Sequence, residues 1–507
     1  MVISKRVLFF SVLVLHIALW LIMKPVWPFS DDYCYAFHAD AFNKHGILFT
    51  ENAFQNRIGV WFPASIIFRC IGINPYSIAL WPLIASLLTL AIAYQFGKRI
   101  SDETTAILGA FLISINVLQI TYSVALFPDI FIALYSAAAI CFLYLGRTDP
   151  EKKIFPVLFS LSLILGFLTK ETILLIFPFI VLVLLSDLKK RDYRFWKKTA
   201  IVFFGGSAFL LLIYWIATGD PFYRIHVILN TELLDNRSTD FMVNHYSHNP
   251  ILWLRKQYGI VFILLLSISV LTTIRKYDLK EARVFLLAFV FSVIFTIIAA
   301  LCFYKYGVLF LMDRVWMLLI APMSLLSAMF IRNMHQHFCI VLIVLLCILA
   351  FYSDDELGLQ RTMLYLAFLA LVLLGYYLSR KNKSWSYLML FPFVFLAGYF
   401  IFKNNNYKTV SVQSGDLIKE QIEKLNNGEK RIILTGEALS ENHIIYNSFN
   451  EYPEMHFYPF SKHDSLSTER MFCIVNGEEE NTPGFVEKEK WKKIFSSGAL
   501  SVYRNDR

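Results

Sequence analysis

Charged residues are scarce in this chain of 507 residues, because Asp, Glu, Lys and Arg together make up 17% of it. Soluble domains carry about a quarter of their residues as these four types. Hydrophobic residues make up 57% of the chain, and its mean hydropathy is +0.55. The composition therefore excludes an ordinary soluble protein and predicts a chain that crosses a membrane many times.

A concentrated basic domain is also missing, although the formal net charge is +9. The basic residues form short clusters between apolar runs, such as Lys98-Arg99 and residues 189–191. Cytoplasmic loops of membrane proteins have this distribution. The charge therefore indicates membrane topology, and nucleic acid is not an expected partner.

The seven cysteines form no Cys-x-x-Cys pair and no zinc spacing. Most lie in or beside apolar runs, where cysteine acts as a small hydrophobic residue. A disulfide between Cys34 and Cys70 stays open, provided that both face an oxidising compartment. No metal or other cofactor is expected, although His226, His245 and His248 leave open a zinc site whose spacing fits no strong motif.

Apolar runs long enough to cross a bilayer predict about thirteen transmembrane helices. The first run is followed by no cleavage pattern, so it is predicted to remain as a helix. Basic clusters follow every second crossing, which places them and the N-terminus in the cytoplasm. The predicted spans are residues 7–24, 75–96, 103–124, 128–146, 154–169, 171–187, 199–218, 257–274, 284–303, 313–331, 338–352, 362–379 and 386–402.

These spans predict an α-helical membrane domain over residues 1–402, with long external loops at 25–74 and 219–256. An odd number of crossings places residues 403–507 outside, as a small separate domain. The first loop contains amphipathic stretches that predict helices lying at the membrane interface. These stretches are residues 35–43 and 61–70.

The external tail has a different composition, in which Lys, Glu and Asn replace the long apolar runs. Short apolar stretches at residues 431–435 and 472–475 predict strands. Residues 417–425 have a helical pattern. The tail is therefore predicted to be an α/β domain.

Three acids in the first external loop or at the outer end of a predicted helix are candidates for catalysis, namely Asp31, Asp32 and Asp129. Charged groups close to the bilayer are costly and usually have a task. Adjacent carboxylates suit a general base, in which one accepts a proton and the other tunes or orients it. The structural alternative is that each acid caps a helix, and for Asp129 the preceding Pro128 fits a helix start.

Three cations at the same predicted membrane face, Arg57, Lys170 and Arg314, are candidates for binding a phosphate. Helix ends that are far apart in sequence can converge on one external cavity. In the structural alternatives, Arg57 and Lys170 extend to lipid head groups and Arg314 neutralises Asp313. Together with the acids, these cations fit a substrate lipid that carries a phosphate and an acceptor that carries a hydroxyl.

At these residues the chain resembles the polytopic glycosyltransferases of the GT-C superfamily. Asp31-Asp32 with Tyr35-Ala36 resembles the acidic pair of that family's first external loop. The resemblance spans residues 1 to about 330 and is greatest to bacterial aminoarabinose, galacturonic acid and protein O-mannosyl transferases. Further matching motifs follow in the family's order: Asn56-Arg57 with Pro63, residues 68–72, Pro128-Asp129, residues 166–171, residues 218–224, and Arg314 with Pro322.

The resemblance does not indicate which sugar is transferred. The second acid is Asp32, where many relatives have Glu, and Cys34 stands where the aminoarabinose branch often has Arg. A Glu-Lys-Pro-Pro motif of several relatives is replaced here by residues 54–57. The acceptor also stays open between lipid A, a polysaccharide, a protein and another lipid.

The resemblance implies an inverting glycosyltransferase that uses a polyprenyl-phosphate sugar, such as an undecaprenyl one, at the periplasmic face of a bacterial inner membrane. Asp31 would be the general base, and Asp32 or Asp129 would orient it or the acceptor. The three cations would stabilise the departing lipid phosphate. A transporter or flippase for a lipid-linked sugar is the alternative, but it leaves the external loops and tail without a role, and no inverted repeat supports it.

The topology predicts that alkaline phosphatase fused after residue 410 is active, because an odd number of crossings places this point outside. A fusion after residue 190, within a basic cluster, is the matched control and should be inactive at equal expression. An expressed but inactive fusion at residue 410 would contradict the arrangement of thirteen crossings.

Overall fold

The structure is a computed structural model, and by compactness the chain divides into two units. The first unit contains Met1–Lys24, Phe49–Val60 and Pro82–Lys403, and the second contains Pro25–Leu48, Trp61–Trp81 and Asn404–Arg507. The structure describes residues 4–25, 31–46, 54–230, 281–303, 313–332, 431–435, 455–459, 471–476, 486, 491–497 and 500–504.

The described part of the first 332 residues is helical. Short 3-10 helices, Glu171–Ile176 and Asp313–Leu319, precede two of the α-helices. The α-helices are α1 (Lys5–Met23), α2 (Asp31–His45), α3 (Ile58–Ile71), α4 (Pro75–Ile100), α5 (Glu103–Ser114), α6 (Val117–Ser123), α7 (Pro128–Thr148), α8 (Ile154–Thr169), α9 (Phe177–Lys189), α10 (Arg194–Thr218), α11 (Tyr223–Asn230), α12 (Glu281–Phe303) and α13 (Ile320–Arg332).

Six of the described helical segments are long and apolar enough to cross a membrane. Shorter apolar helices accompany them, among them α5 and α8. The predicted multi-pass helical fold is thereby confirmed in its general form. The six segments are Lys5–Met23, Pro75–Ile100, Pro128–Thr148, Glu171–Lys189, Arg194–Thr218 and Glu281–Ala300.

Most of the predicted spans in the described residues coincide with a helix, but three of them are interrupted. The span 103–124 breaks between α5 and α6, and the spans 171–187 and 313–331 each begin with a 3-10 helix. The number thirteen stays a prediction, since four spans lie outside the described residues. These are 257–274, 338–352, 362–379 and 386–402.

Helix α7 lies at the centre of the first unit, where it packs against α8 and the 3-10 helix Asp313–Leu319. Its side chains are buried along nearly its whole length. Helix α10 packs against α8 and exposes most of its apolar side chains, among them Ile201 and Ile216. An apolar surface of this extent fits contact with lipid. The buried α7 is therefore a central helix of the unit, and the exposed α10 is a peripheral one.

The break between α5 and α6 has a local chemical cause at Asn116. Its side chain accepts a hydrogen bond of 3.2 Å from the backbone nitrogen of Gln119 and so caps α6. Asparagine is among the preferred N-cap residues because its side chain satisfies a donor that the helix cannot. A polar residue within an apolar run therefore divides one predicted span into two helices.

A buried histidine forms a hydrogen bond to the backbone on the α5 side of this break. His16 Nδ1 donates to the carbonyl of Ser114 over 3.1 Å, and its Nε2 therefore accepts the hydroxyl of Ser86 over 2.7 Å. The side-chain amide of Gln119 donates to the same Ser86 hydroxyl over 2.8 Å. This chain of hydrogen bonds joins α1, α4, α5 and α6. In apolar surroundings a backbone carbonyl at a helix break needs such a donor.

At the opposite end of α7, one buried carboxylate joins three helices. Asp187 of α9 accepts two hydrogen bonds from Arg147 of α7, over 2.7 and 2.6 Å. Trp196 of α10 donates a third hydrogen bond to Asp187 over 2.9 Å. This bidentate pair fixes the ends of α7, α9 and α10 relative to one another.

The C-terminal part contains a five-stranded mixed sheet. Strand β1 is parallel to β2 and β3, and β5 is antiparallel to β3 and β4, in the order β2-β1-β3-β5-β4. Its core includes Leu434, Met471, Cys473, Val486 and Trp491. The strands are β1 (Arg431–Thr435), β2 (Met455–Pro459), β3 (Met471–Asn476), β4 (Lys492–Ser497) and β5 (Leu500–Arg504).

Two elements of each segment that was predicted to be external agree with the sequence analysis. The strands predicted at residues 431–435 and 472–475 are confirmed as β1 and β3. The amphipathic stretches of the first loop are confirmed as the helices α2 and α3. The helix predicted at residues 417–425 lies outside the described residues, so the α/β class of the tail stays a prediction.

The buried Arg147–Asp187 pair generates a stability prediction. Arg147→Met should lower the free energy of unfolding by about 3 kcal/mol, because Asp187 keeps its charge in a buried place without its cation. The double variant Arg147→Met/Asp187→Asn should recover part of the loss, since Asn can still accept from Trp196. Thermal unfolding in detergent measures both, and equal stability of the single and double variants would contradict the assigned role.

Candidate active site

The site forms where α8 ends and the chain turns into the 3-10 helix Glu171–Ile176. Lys170 is extended, with φ −162° and ψ 140°, and so ends α8. The side chains of Lys170 and Glu171 then reach two different segments. Lys170 Nζ lies 2.7 Å from Asp129 Oδ1, and Glu171 Oε1 lies 2.8 Å from Arg57 Nη2.

The Lys170–Asp129 pair is buried, with 7% and 1% of the two residues exposed. Asp129 stands in the first turn of α7, after Pro128, where the helix dipole favours a negative charge. Burial lowers the pKa of Lys170, and the Asp129 carboxylate opposes this shift. Lys170 therefore does not simply extend to lipid head groups, which was the structural alternative.

The second oxygen of Asp129 is available for a further contact. Asp129 Oδ2 is buried and has no hydrogen-bond partner among the described residues, and the same holds for Glu171 Oε2. Buried polar atoms in folded proteins are usually satisfied. Two such oxygens on neighbouring ion pairs favour a polar ligand here over a purely structural network.

Two further cations extend this cluster around Lys170. Arg57 follows the turn 54–56 and is 9% exposed. Arg314 comes from the 3-10 helix Asp313–Leu319. Both guanidinium groups are close enough for their charge to lower the pKa of Lys170 further. The four predicted residues Arg57, Asp129, Lys170 and Arg314 thus belong to one cluster in the first unit.

Arg224, at the start of α11, lies close by and was not among the predicted site residues. It is 2% exposed and donates hydrogen bonds to the backbone carbonyls of Asn56, Phe167 and Leu168. Its guanidinium carbon also lies 4.9 Å from the centroid of the Phe167 ring. Sequence analysis included Arg224 in the matching motif of residues 218–224 but assigned it no role, because residue spacing does not indicate contacts with backbone carbonyls.

Glu171 is the other residue that was left out of the predicted site. Sequence analysis included it only in the matching motif of residues 166–171. With its pairing to Arg57, the cluster contains, among the side chains that the structure describes, four cations and two carboxylates: Arg57, Lys170, Arg224 and Arg314 with Asp129 and Glu171. The excess of positive charge suits an anion, and phosphate matches both the guanidinium fork and the ammonium point charge.

The acidic pair belongs to the second unit, where Asp31 and Asp32 begin α2. Asp32 is buried, with 4% of the residue exposed. Helix α2 packs on α3, since Asn43 donates to the carbonyl of Ser65 over 2.9 Å. In the same helix, burial lowers the pKa of His38 to about 4, so this histidine adds no positive charge at neutral pH.

Neither a disulfide nor a metal site accompanies these groups in the described part of the chain. Cys34 and Cys70 are not joined to each other. No three metal-binding side chains come together among the described residues. His226 lies 2.6 Å from Asp220 Oδ2, and His245 and His248 lie outside the described residues.

Comparison with known sequences links part of the chain to one family. Residues 58–216, which include α7, α8 and the Lys170 turn, match the family model described as dolichyl-phosphate-mannose-protein mannosyltransferase. No curated protein sequence gives a significant match. The family match therefore covers the segment that supplies Asp129, Lys170 and Glu171.

Solved structures show the fold over nearly the whole chain. ArnT from Cupriavidus metallidurans bound to undecaprenyl phosphate aligns with a TM-score of 0.63 and 11% identity, over 99% of this chain and 98% of that one. Its apo state gives 0.62 and 11%, over 99% and 97%. The oligosaccharyltransferase AglB from Archaeoglobus fulgidus gives only 0.47 and 14%, over 99% and 75%.

The likeness to the GT-C glycosyltransferases predicted from the motifs is thus confirmed, by the family model over residues 58–216 and by the ArnT fold over nearly the whole chain.

Proposed function

We propose that this protein is an inverting glycosyltransferase that moves a sugar from a polyprenyl-phosphate donor to an acceptor hydroxyl at the outer face of a bacterial inner membrane. One observation carries the proposal, namely the buried cluster in which Arg57 and Lys170 are held by Glu171 and Asp129. The cluster lies within the matched family segment and a fold shared with a protein crystallised with undecaprenyl phosphate.

Lys170 is the central donor-binding group in this proposal. Its ammonium has three N–H donors, of which Asp129 Oδ1 accepts one, so the others can reach phosphate oxygens. Arg57 and Arg314 add positive charge beside it. Because the leaving phosphate gains negative charge as its bond to the sugar breaks, these cations stabilise the transition state more than the bound donor.

The carboxylates take the proton and orient the acceptor. The acceptor oxygen attacks the anomeric carbon from the face opposite the phosphate, and the bond from that carbon to the phosphate oxygen breaks. The bonding electrons leave with the lipid phosphate, and the hydroxyl proton passes to Asp31. Asp32 orients this base. Asp129 Oδ2, which is buried without a hydrogen-bond partner among the described residues, would accept a hydrogen bond from substrate.

The location and acceptor follow from the predicted topology. With a cytoplasmic N-terminus and residues 403–507 in the periplasm, the donor is used on the outer side, after it has been flipped. An acceptor of the cell envelope, such as lipopolysaccharide or another glycolipid or polysaccharide, fits this place. The external tail and loops then have an acceptor to contact, which a flippase would not require.

Reconstitution in liposomes tests the function directly. The purified protein is supplied with undecaprenyl-phosphate sugars carrying aminoarabinose, galacturonic acid or mannose, together with envelope lipid extract. Mass spectrometry should detect free undecaprenyl phosphate and a glycosylated acceptor. Movement of the donor across the bilayer without release of undecaprenyl phosphate would instead establish the flippase.

The proposed general base gives a second measurement. Asp31→Asn should reduce sugar transfer by roughly 10²- to 10⁴-fold, because Asn cannot accept a proton, while donor binding and thermal stability stay close to wild type. Asn can still occupy the first turn of α2, so a capping role would survive. Asp32→Asn is the matched control and should show a smaller loss. Near-normal turnover of Asp31→Asn would remove Asp31 as the base.

Because Lys170 forms a buried ion pair with Asp129, its role is tested with a double variant. Lys170→Met alone should destabilise the fold, because Asp129 would keep a buried charge without its cation. The double variant Lys170→Met/Asp129→Asn removes both charges and should fold. Its dissociation constant for undecaprenyl phosphate should rise roughly 10- to 100-fold, which corresponds to a lost charge-assisted bond of about 1.5–3 kcal/mol.

The matched control for that experiment is Lys152→Met, which removes an exposed lysine of the same protein. It should leave the affinity for undecaprenyl phosphate unchanged. If the folded double variant also binds with wild-type affinity, the Lys170–Asp129 pair is structural only. Ligand-induced shifts of the melting temperature give the affinities.

A further inference from the structure

Arg224 connects three segments that are far apart in sequence. It stands in the first turn of α11, and its guanidinium reaches the carbonyls of Asn56, Phe167 and Leu168. The residue is 2% exposed. Planar guanidinium groups can donate in several fixed directions at once, which a lysine ammonium on a flexible stem does not reproduce.

Two of these carbonyls belong to the last turn of α8. The backbone nitrogen of Lys170 bonds to the carbonyl of Gly166, so the carbonyls that follow it lack a donor from their own helix. Arg224 supplies donors to Phe167 and Leu168. A positive charge at the C-terminal end of a helix is also favoured by the helix dipole.

Each segment that Arg224 holds continues directly into the charged cluster. Arg57 follows Asn56, and Lys170 and Glu171 follow the last turn of α8. The Arg57–Glu171 pair of 2.8 Å therefore joins the same two segments that Arg224 joins through their backbones. A change in the separation of the segments would move these charges apart.

Gly59 gives independent evidence that the separation of these segments is tightly set. A Cβ atom built on Gly59 would overlap Thr169 Oγ1 and would lie 3.1 Å from the backbone nitrogen of Thr169. The start of α3 and the end of α8 thus approach at a point where no side chain fits. Arg224 and Gly59 therefore both affect the distance between these two segments. Arg224 forms hydrogen bonds to both, and Gly59 has no side chain that would hold them apart.

We propose that Arg224 is a positioning residue of the phosphate site, which fixes Arg57 relative to Lys170 and Glu171 by binding the carbonyls of Asn56, Phe167 and Leu168. The proposal rests on the proposed glycosyltransferase function. In this proposal, the planar guanidinium with its several N–H donors holds the segments in place, and its positive charge alone does not. A residue that served the site only through its positive charge would be replaceable by lysine.

The experiment compares Arg224→Lys, which keeps the charge, with Arg224→Met, which loses both charge and fork. Both should lower the rate of sugar transfer at saturating donor by roughly 10²-fold, the loss that a misplacement of about 1 Å causes. The KM for donor should also rise, but by a smaller factor than the rate falls, because Arg57 and Lys170 are displaced and keep their charges. Arg194→Lys, at an exposed arginine, is the matched control and should leave the rate unchanged.

Gly59→Ala changes the distance between the start of α3 and the end of α8 without removing a charge. It should lower the rate like Arg224→Lys, and the double variant Gly59→Ala/Arg224→Lys should lose little more than either single variant, since both disturb one separation. Thermal unfolding establishes that each variant is folded. Losses that multiply in the double variant would overturn the proposal, and so would near-wild-type turnover of Arg224→Lys beside an inactive Arg224→Met.

Binding of undecaprenyl phosphate separates this proposal from the proposed function. If the wild-type protein binds this lipid but transfers no sugar, the transferase function fails. The positioning role then predicts weaker binding by Arg224→Lys, Arg224→Met and Gly59→Ala alike. Unchanged binding by Arg224→Lys and Gly59→Ala in folded protein would overturn the positioning role as well.

Discussion

The cost of burying charge governs the structure around the end of α8. A buried ion is stable only with a partner and with its remaining hydrogen-bonding capacity satisfied. Lys170 and Glu171 follow each other in sequence, and their partners Asp129 and Arg57 come from α7 and from the turn before α3. Meeting this cost therefore brings three distant segments together. Among the described side chains, Arg224 and Arg314 add positive charge beside these two ion pairs.

The cost of burying polar groups also explains a set of side chains that resembles a catalytic site but has a structural role. His16, Ser86 and Gln119 form a hydrogen-bonded chain that resembles a nucleophile with its base. The chain ends on the carbonyl of Ser114, at the point where α5 breaks. Unsatisfied backbone groups in apolar surroundings are costly, so this chain is explained by the broken helix. Arg224 performs the comparable task at the end of α8.

The sequence predicted features that depend on length and composition, and missed those that depend on tertiary contacts. Long apolar runs located α7 and α10, and charges at the outer helix ends located Lys170 and Asp129. The break at Asn116 was missed, because the surrounding residues are apolar and a span of suitable length was available. Arg224 was missed since its partners are backbone carbonyls, which no residue spacing can indicate.

The roles proposed for the acids take account of the cation that Asp129 already holds. Asp129 neutralises Lys170 in a buried place, so a proton taken up by Asp129 would leave that ammonium without its counter-charge. Protonation of Asp129 during turnover would thus weaken the group proposed to hold the lipid phosphate, at the moment when its charge grows. A base on a different element avoids this conflict. The proposed base Asp31, in α2, would meet that requirement, and Asp129 would then remain the counter-charge of Lys170 in the proposed reaction.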